Sequence, residues 1–267
     1  MAVKGMLIDT VRCTGCRGCQ VACKQQNHHD AEETEFFGGP GYQNPADLSK
    51  DTWCLVTYNE VQVGGRFEWV FGKRQCMHCN SPGCVAACPV GALEKLEDGP
   101  VIYHKDKCIG CRYCMLACPF VVPRFEFDSP NPYISKCNMC FERLEDGGTP
   151  ACAKACPTGA ITFGDRDDLI KEAKRRIASN PSQYLHHIYG LEEGGGTSML
   201  HISNVPFEQL GYITDIPEQS MAELVTPAMK SIPTVMFVLA LVLGAGYKLR
   251  TRNLQAEKEE TNPAGRQ

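Results

Sequence analysis

The sequence has no surplus of positive charge: 27 Lys and Arg stand against 31 Asp and Glu in 267 residues, a formal net charge of -4. With no electrostatic footprint for a polyanion, nucleic acid is excluded as a partner. Met1 to Arg12 lacks the apolar stretch of a secretory signal. The Gly194-Gly195-Gly196 run lacks the Lys and Ser or Thr of a phosphate-binding loop and reads as a turn. No haem-attachment motif accompanies the paired histidines His28-His29 and His186-His187, which read as surface residues. No nucleophile stands with a general base and an orienting group, so no catalytic constellation is expected. Apolar residues make up only 43% of the chain, with 25 Gly and 17 Pro, which predicts loops held by bound groups more than by a large core.

Cysteine, by contrast, is abundant. There are 17, an odd number in a chain too long for a small disulfide scaffold, so metal ligation is the better reading. All but Cys54 fall into four quartets: Cys13, Cys16, Cys19, Cys23; Cys76, Cys79, Cys84, Cys88; Cys108, Cys111, Cys114, Cys118; and Cys137, Cys140, Cys152, Cys156. The third is the C-x2-C-x2-C-x3-C-P run of bacterial ferredoxins, in which three thiolates hold one cube and the fourth serves a neighbouring cube. The first repeats that spacing with Lys24 in place of proline. The second widens one gap to four residues and ends Cys88-Pro89, while the fourth has eleven residues between Cys140 and Cys152 and ends Cys156-Pro157. Four quartets predict four 4Fe-4S clusters, with all sixteen cysteines as iron ligands.

A cube needs soft, deprotonated sulfur donors, and C-x2-C turns aim backbone amides at its sulfurs. Gly15, Gly18, Gly83 and Gly110 fit inside such loops, and the repeated CPVGAL (Cys88 to Leu93) and CPTGAI (Cys156 to Ile161) mark one structural element used twice. The alternative of another class is a zinc-binding structural scaffold, which would suit the fourth quartet taken alone. A single geometry shared by all four quartets favours clusters over zinc and over disulfides. His78, between Cys76 and Cys79, is expected to shape a cluster environment. Cys54 reads as an ordinary buried thiol.

Spacing alone leaves open which quartets pair, because those starting at 76, 108 and 137 are nearly evenly separated. The stretches IDTVRCTGCRGCQVACKQQN, NPADLS, QCMHCNSPGCVAACPVGAL, KCIGCRYCMLACPF, KCNMC and PACAKACPTGAITFG, between about Leu7 and Tyr212, closely resemble the four-cluster iron-sulfur subunits of membrane-bound formate dehydrogenases. Similar subunits serve periplasm-facing hydrogenases and other molybdopterin oxidoreductases. The resemblance implies an α+β fold of two nested two-cluster ferredoxin-like modules, loop-rich, with one C-terminal transmembrane helix. It also implies crossed ligation. Cys13, Cys16, Cys19 and Cys156 would hold one cube, and Cys137, Cys140, Cys152 and Cys23 the cube beside it. Cys76, Cys79, Cys84 and Cys118 would hold a third, and Cys108, Cys111, Cys114 and Cys88 the fourth. A nitrate reductase relative replaces the cysteine that opens its third quartet and holds a three-iron cluster; Cys108 is present here, so all four are expected to be 4Fe-4S.

The boundaries that follow are an outer module at 1–24 and 126–178, an inserted hairpin and loop at 25–75, an inner module at 76–125, an extended connector at 179–225, a transmembrane helix at 226–248 and a charged cytoplasmic tail at 249–267. Strand-like alternation near Trp53 to Val63 lies in the inserted segment, a candidate docking surface. Asp165 to Ala178 predicts a helix with acids first and Lys171, Lys174, Arg175 and Arg176 last, this basic run forming a solvated face.

Ser231 to Tyr247 contains 17 residues without a charge, about 25 Å as a helix against a hydrocarbon core of about 30 Å. Lys230 can snorkel, so a start near Pro227 is expected. Lys248, Arg250, Arg252, Lys258 and Arg266 follow the segment while only Lys230 lies in the twenty residues before it, which predicts a cytoplasmic tail and a cluster-bearing body on the periplasmic side of a bacterial inner membrane. An exported partner would then have to carry the body across, as in the resembled family.

The functional expectation is a non-catalytic electron-transfer subunit of an oxidoreductase complex. It would link a large molybdopterin catalytic subunit to a multi-span membrane subunit, cytochrome b or quinone-reactive, with contact to the lipid bilayer. NPADLS and Trp53 to Tyr58 look like formate dehydrogenase, whereas CRYCMLACPF and GGGTSMLHISNVPFEQL look like the hydrogenase version.

Overall fold

The computed structural model describes residues 2–34, 42–127, 129 and 132–260. Residues 35–41 of the inserted segment, 128, 130 and 131 of the outer module, and 261–267 of the tail with Arg266 lie outside the described residues, as do the side chains of Lys258, Glu259 and Glu260. The chain divides into two units, 1–225 and 226–267.

In chain order the elements begin with β1 (Lys4–Asp9), α1 (Gly18–Gln26), β2 (Leu55–Val63), β3 (Arg66–Arg74), α2 (Gly83–Ala86), β4 (Leu93–Lys95), β5 (Val101–Tyr103) and α3 (Tyr113–Leu116). They continue with β6 (Arg124–Phe125), β7 (Ile134–Ser135), α4 (Phe141–Glu145), α5 (Ala151–Lys154), β8 (Ile161–Asp165), α6 (Arg166–Ser179), β9 (Met199–Ile202) and α7 (Met221–Glu260). The fold is therefore α+β, with mixed short helices and strands.

A three-stranded sheet ordered β8-β1-β9 organises the first unit, with β1 antiparallel to β8 and parallel to β9. Strand alternation sends successive side chains of β1 to opposite faces. Leu7 packs with Leu169, Ala173 and Ile177 of α6, whereas Met6 and Ile8 join the core that contains Cys19, Cys23 and Cys152. The central strand thus separates an ordinary helix-packed core from the cysteine-rich one.

The strand register relates the two pairs of quartets. Leu93, five residues after Cys88, pairs antiparallel with Tyr103, five residues before Cys108. Ile161, five residues after Cys156, pairs with Ile8, five residues before Cys13. The same ladder therefore joins the second quartet to the third within one hairpin, and the fourth to the first across the length of the unit. This is the arrangement of one ferredoxin-like module inserted into another, and it relates the quartets without appeal to spacing.

The inserted segment contains the β2–β3 hairpin, whose nine-residue strands pair from Leu55↔Arg74 to Val63↔Arg66. Gly64 and Gly65 close it with φ of 57° and 82°, the positive values that a two-residue primed turn requires. The segment 179–225, expected as an extended connector, does more than connect. It supplies β9 and buries Tyr189, Phe207 and Leu210 in the cysteine-rich core.

Helix α6 matches its expected limits within a residue, but its basic end is not all solvated. Arg176 is 6% exposed and donates from Nη1 to Asp9 Oδ2 at 3.0 Å, so one member of the predicted surface run is a buried ion-pair partner. The reason is periodicity: Arg176 lies seven residues after Leu169 and three after Ala173, on the stripe that faces β1.

Helix α7 starts before the expected Pro227, at Met221, where Ser220 caps it by accepting the Ala222 N–H at 3.2 Å. Its Met221–Glu257 stretch, which contains an 18-residue window of mean hydropathy 1.8, is long and apolar enough to cross a membrane. Val235, Phe237 and Leu243 are exposed along it, and Pro227 and Pro233 lie within it.

Candidate functional site

Each C-x2-C loop turns in the same way. The residue before the second cysteine has positive φ in every quartet: 67° at Gly15, 47° at His78, 69° at Gly110 and 60° at Met139. In the turn so formed, the N–H of that same residue points back at the first sulfur. Cys108 accepts the Gly110 N–H at 3.5 Å and Cys137 the Met139 N–H at 3.3 Å. The fourth cysteines share a second pattern: Ala92 N–H donates to Cys88 at 3.2 Å, and Ala160 N–H occupies the same place at Cys156.

The structure brings the sixteen quartet cysteines into four groups. Cys13, Cys16, Cys19 and Cys156 line a single, largely apolar cavity with Phe71 and Lys73. Burial is the main cause that raises the Cys13 thiol, and the neighbouring Cys156 and Cys16 raise it further. Burial works against ionisation of Cys156 too. There the Ile161, Thr158 and Ala160 amides with the Thr158 hydroxyl outweigh burial and hold the thiol below its ordinary value.

In the second group, burial pushes the Cys23 thiol well up, with Cys54, Cys152 and Cys140 adding to the effect. Cys137 is raised by burial first and then by Cys23, Cys76 and Cys152. In the third, burial and the neighbours Cys76, Cys118 and Cys84 raise Cys79. In the fourth, Cys114 is pushed up to about 12 by burial and by Cys111, Cys88 and Cys108.

The groups also follow one another in space. Cys54 shares a hydrogen bond with Cys19 of the first group and stands close enough to Cys23, Cys140 and Cys152 to act on all three. Cys76 of the third acts on Cys137 of the second, and Cys84 of the third is coupled to Cys114 of the fourth. Cys54 is buried as expected, yet it sits between two groups rather than in ordinary core. The next strand is tied to α1 where Val56 donates its N–H to Gln20 Oε1 at 3.2 Å, and no local sequence pattern signals that contact.

The donor set fits iron-sulfur cubes. Thiols raised by burial must lose protons to bind metal, and cluster assembly supplies the compensating charge. Two buried ammonium groups, Lys73 and Lys136, take no part in any described ion pair, and such cations demand nearby negative charge. Among the described residues Lys136 donates to the carbonyls of Val101 and Cys137, at 2.5 and 2.9 Å. His78 is fully buried. Its Nδ1 accepts the Val101 N–H at 2.9 Å, its Nε2 has no hydrogen-bond partner, and burial holds its pKa well below the usual imidazole value.

His28, His186 and His187 are exposed, as expected, and His187 pairs with Glu193 at 2.8 Å. His29 is half-buried instead and packs edge-on against Trp53. None of the four paired histidines enters a cysteine group. The glycine run at 194–196 has positive φ throughout and forms a turn.

Two models of the 4Fe-4S dicluster domain match, at residues 12–92 and 67–166. The nitrate-inducible formate dehydrogenase iron-sulfur subunit of Escherichia coli K12 is 40% identical over 199 residues, 73% of this chain and 66% of that subunit. The hydrogenase-2 operon protein HybA of Escherichia coli O157:H7 is 38% identical over 247 residues, 80% of this chain and 73% of HybA. A protein of Nitratidesulfovibrio vulgaris is 39% identical over 264 residues, 98% of this chain and 71% of its own length, a match that extends through α7.

Proposed function

Because the chain belongs to the family of 4Fe-4S iron-sulfur subunits that includes the formate dehydrogenase and HybA proteins, we propose that it carries electrons through four cubes in a membrane-bound complex. The observation that carries this reading is the linear order of the four thiol groups, Cys13 group to Cys23 group to Cys76 group to Cys108 group. Each cube, when bound, accepts and donates one electron; the protein fixes where the cubes stand and what surrounds them. Cys13, Cys16, Cys19 and Cys156 hold the first, Cys23, Cys137, Cys140 and Cys152 the second, Cys76, Cys79, Cys84 and Cys118 the third, and Cys88, Cys108, Cys111 and Cys114 the fourth. The modules are those bounded at 1–24 with 126–178 and at 76–125. Backbone amides at Gly15, Gly110, Met139 and Ala92 donate to the ligating sulfurs and stabilise added negative charge.

At the two ends of this path we place a molybdopterin catalytic subunit and a quinone-reactive membrane subunit, with formate as the donor. Helix α7 spans the bilayer against the membrane subunit, with the cube-bearing body outside and the tail in the cytoplasm. The second reading, a hydrogenase partner, is favoured by the match to HybA, which covers 80% of this chain against 73% for the formate dehydrogenase subunit. The test has two stages. Anaerobic purification should give about sixteen iron and sixteen sulfide per chain; zinc in place of iron would refute the cluster assignment. In the purified complex, formate should reduce the cubes, and reduction by hydrogen but not formate would transfer the chain to the hydrogenase branch.

A further inference from the structure

Lys73 is the most unusual charge in the fold. It is 4% exposed, near the end of β3, and among the described residues no carboxylate pairs with it. Its Nζ donates to Gln75 Oε1 and contacts the Cys54 thiol. Its backbone is pinned by Tyr212, whose hydroxyl accepts the Lys73 N–H at 3.0 Å and donates to the Lys73 carbonyl at 3.1 Å. The side chain lines the cavity of Cys13, Cys16, Cys19 and Cys156 and also acts on the thiols of Cys137 and Cys152 in the second group. One ammonium therefore faces two cysteine groups, held there by a hairpin that contributes no ligand to either.

We propose that Lys73 is a counter-charge shared by the two cubes of the outer module, and that it holds the reduction potentials of both above those their thiolates and amides alone would set. This rests on the four-cube reading given above. Reduction adds a negative charge to a cube, and a fixed positive charge in a low-dielectric interior favours the reduced state. The burial of an ammonium with only a neutral amide and thiols around it is otherwise costly, and anionic clusters on two sides remove that cost. The inserted hairpin thereby has an electrostatic role in addition to any docking role.

The test is a potentiometric EPR titration of the full chain in its complex, comparing wild type with Lys73→Met and Gln75→Glu. Lys73→Met deletes the charge. Gln75→Glu keeps the lysine and gives it a carboxylate of nearly the same shape. Both should lower the same two midpoints, so that the reduced-to-oxidised ratio at fixed potential falls about tenfold, 59 mV for a one-electron couple. The two inner cubes should move much less, and Lys171→Met on exposed α6 should move none. If iron stays near sixteen and no midpoint falls in either variant, the proposal is overturned while the four-cube reading stands. If Lys73→Met loses cubes on purification, Gln75→Glu decides alone. Wild-type iron well below sixteen would overturn the four-cube reading itself, a separate failure seen before any substitution.

Discussion

Replacing Arg176 with Met tests how the N-terminal strand is held against the rest of the outer module. Asp9 ends β1 and is completely buried. Its Oδ2 accepts from Arg176 Nη1 at 3.0 Å and the Tyr184 hydroxyl at 2.9 Å, and its Oδ1 accepts the Val11 and Arg12 amides at 3.1 and 3.3 Å. Those last two bonds shape the turn that leads into Cys13. Removing one partner of a buried ion pair costs about 3–5 kcal/mol, because it leaves an uncompensated charge behind. Arg12 Nε, 3.5 Å from Oδ2 and 46% exposed, compensates in part, which puts the expected loss near the lower end. Tyr184→Phe removes one hydrogen bond to the same oxygen and should cost about 1–2 kcal/mol. Lys171→Met breaks an exposed, solvent-screened pair on the same helix and should leave the midpoint where it is. The assay is anaerobic urea unfolding followed by loss of the visible iron-sulfur absorbance. Cofactor-bearing chains do not unfold in two states, so variants are ranked by midpoint. With a slope of about 3 kcal/mol per molar, Arg176→Met should lower the midpoint by about 1 M. Combining it with Asp9→Asn, which removes the stranded charge, should cost less than the two changes summed. If Arg176→Met is no worse than Lys171→Met, Asp9 is not held by Arg176.

Three further outcomes are expected. Cys156→Ser should perturb the same EPR signal as Cys13→Ser; loss of the Cys137→Ser signal instead would refute the crossed ligation. Gly15→Ala should lower occupancy of the first cube, because the residue has φ of 67° and an added Cβ would lie 2.7 Å from the Phe71 ring; normal iron content in this variant would contradict the tight fit. A reporter fused after Gln267 should behave as cytoplasmic while protease added to spheroplasts reaches loops before Met221; the reverse would overturn the orientation and the exported partner with it.

The quartets were legible because cluster ligation is local: a C-x2-C turn is specified by a few consecutive residues and an obligatory positive φ. Even so, glycine marks that φ only at Gly15 and Gly110, while His78 and Met139 adopt it without a sequence signal, held by complete or near-complete burial. The grouping of quartets was not legible from spacing, since it depends on the β8–β1 ladder between residues more than 150 positions apart. Arg176 was misassigned to the solvent for a different reason. Charge alone placed it outside, whereas its position on the Leu169 and Ala173 stripe already faced it inward, towards a carboxylate that the sequence does not reveal as buried. Lys73 carried a weaker hint, two residues from Phe71 on the same face of β3, but nothing local says that this face meets two cysteine groups.

Nesting has a physical consequence that a tandem arrangement lacks. The inner module leaves the outer one through β3, which runs directly into Cys76, and returns through β7, which runs into Lys136 and Cys137. Two chain connections therefore meet where the Cys76 thiol acts on Cys137, the step between the second and third groups. Further clamps join the modules: the Lys4 N–H donates to Asp98 O at 2.7 Å, and Gly99 packs so closely on Lys4 that an added Cβ would lie 2.5 Å from its carbonyl oxygen. A tandem pair joined by a single linker would leave that separation to a docking equilibrium, and relative domain motion is the default where the interface is small. Electron transfer weakens steeply with distance, so the step between modules is the one most exposed to such motion. Insertion of one module within the other ties that step with two chain connections and the Lys4 contacts to Asp98 and Gly99, where a tandem pair would have one linker.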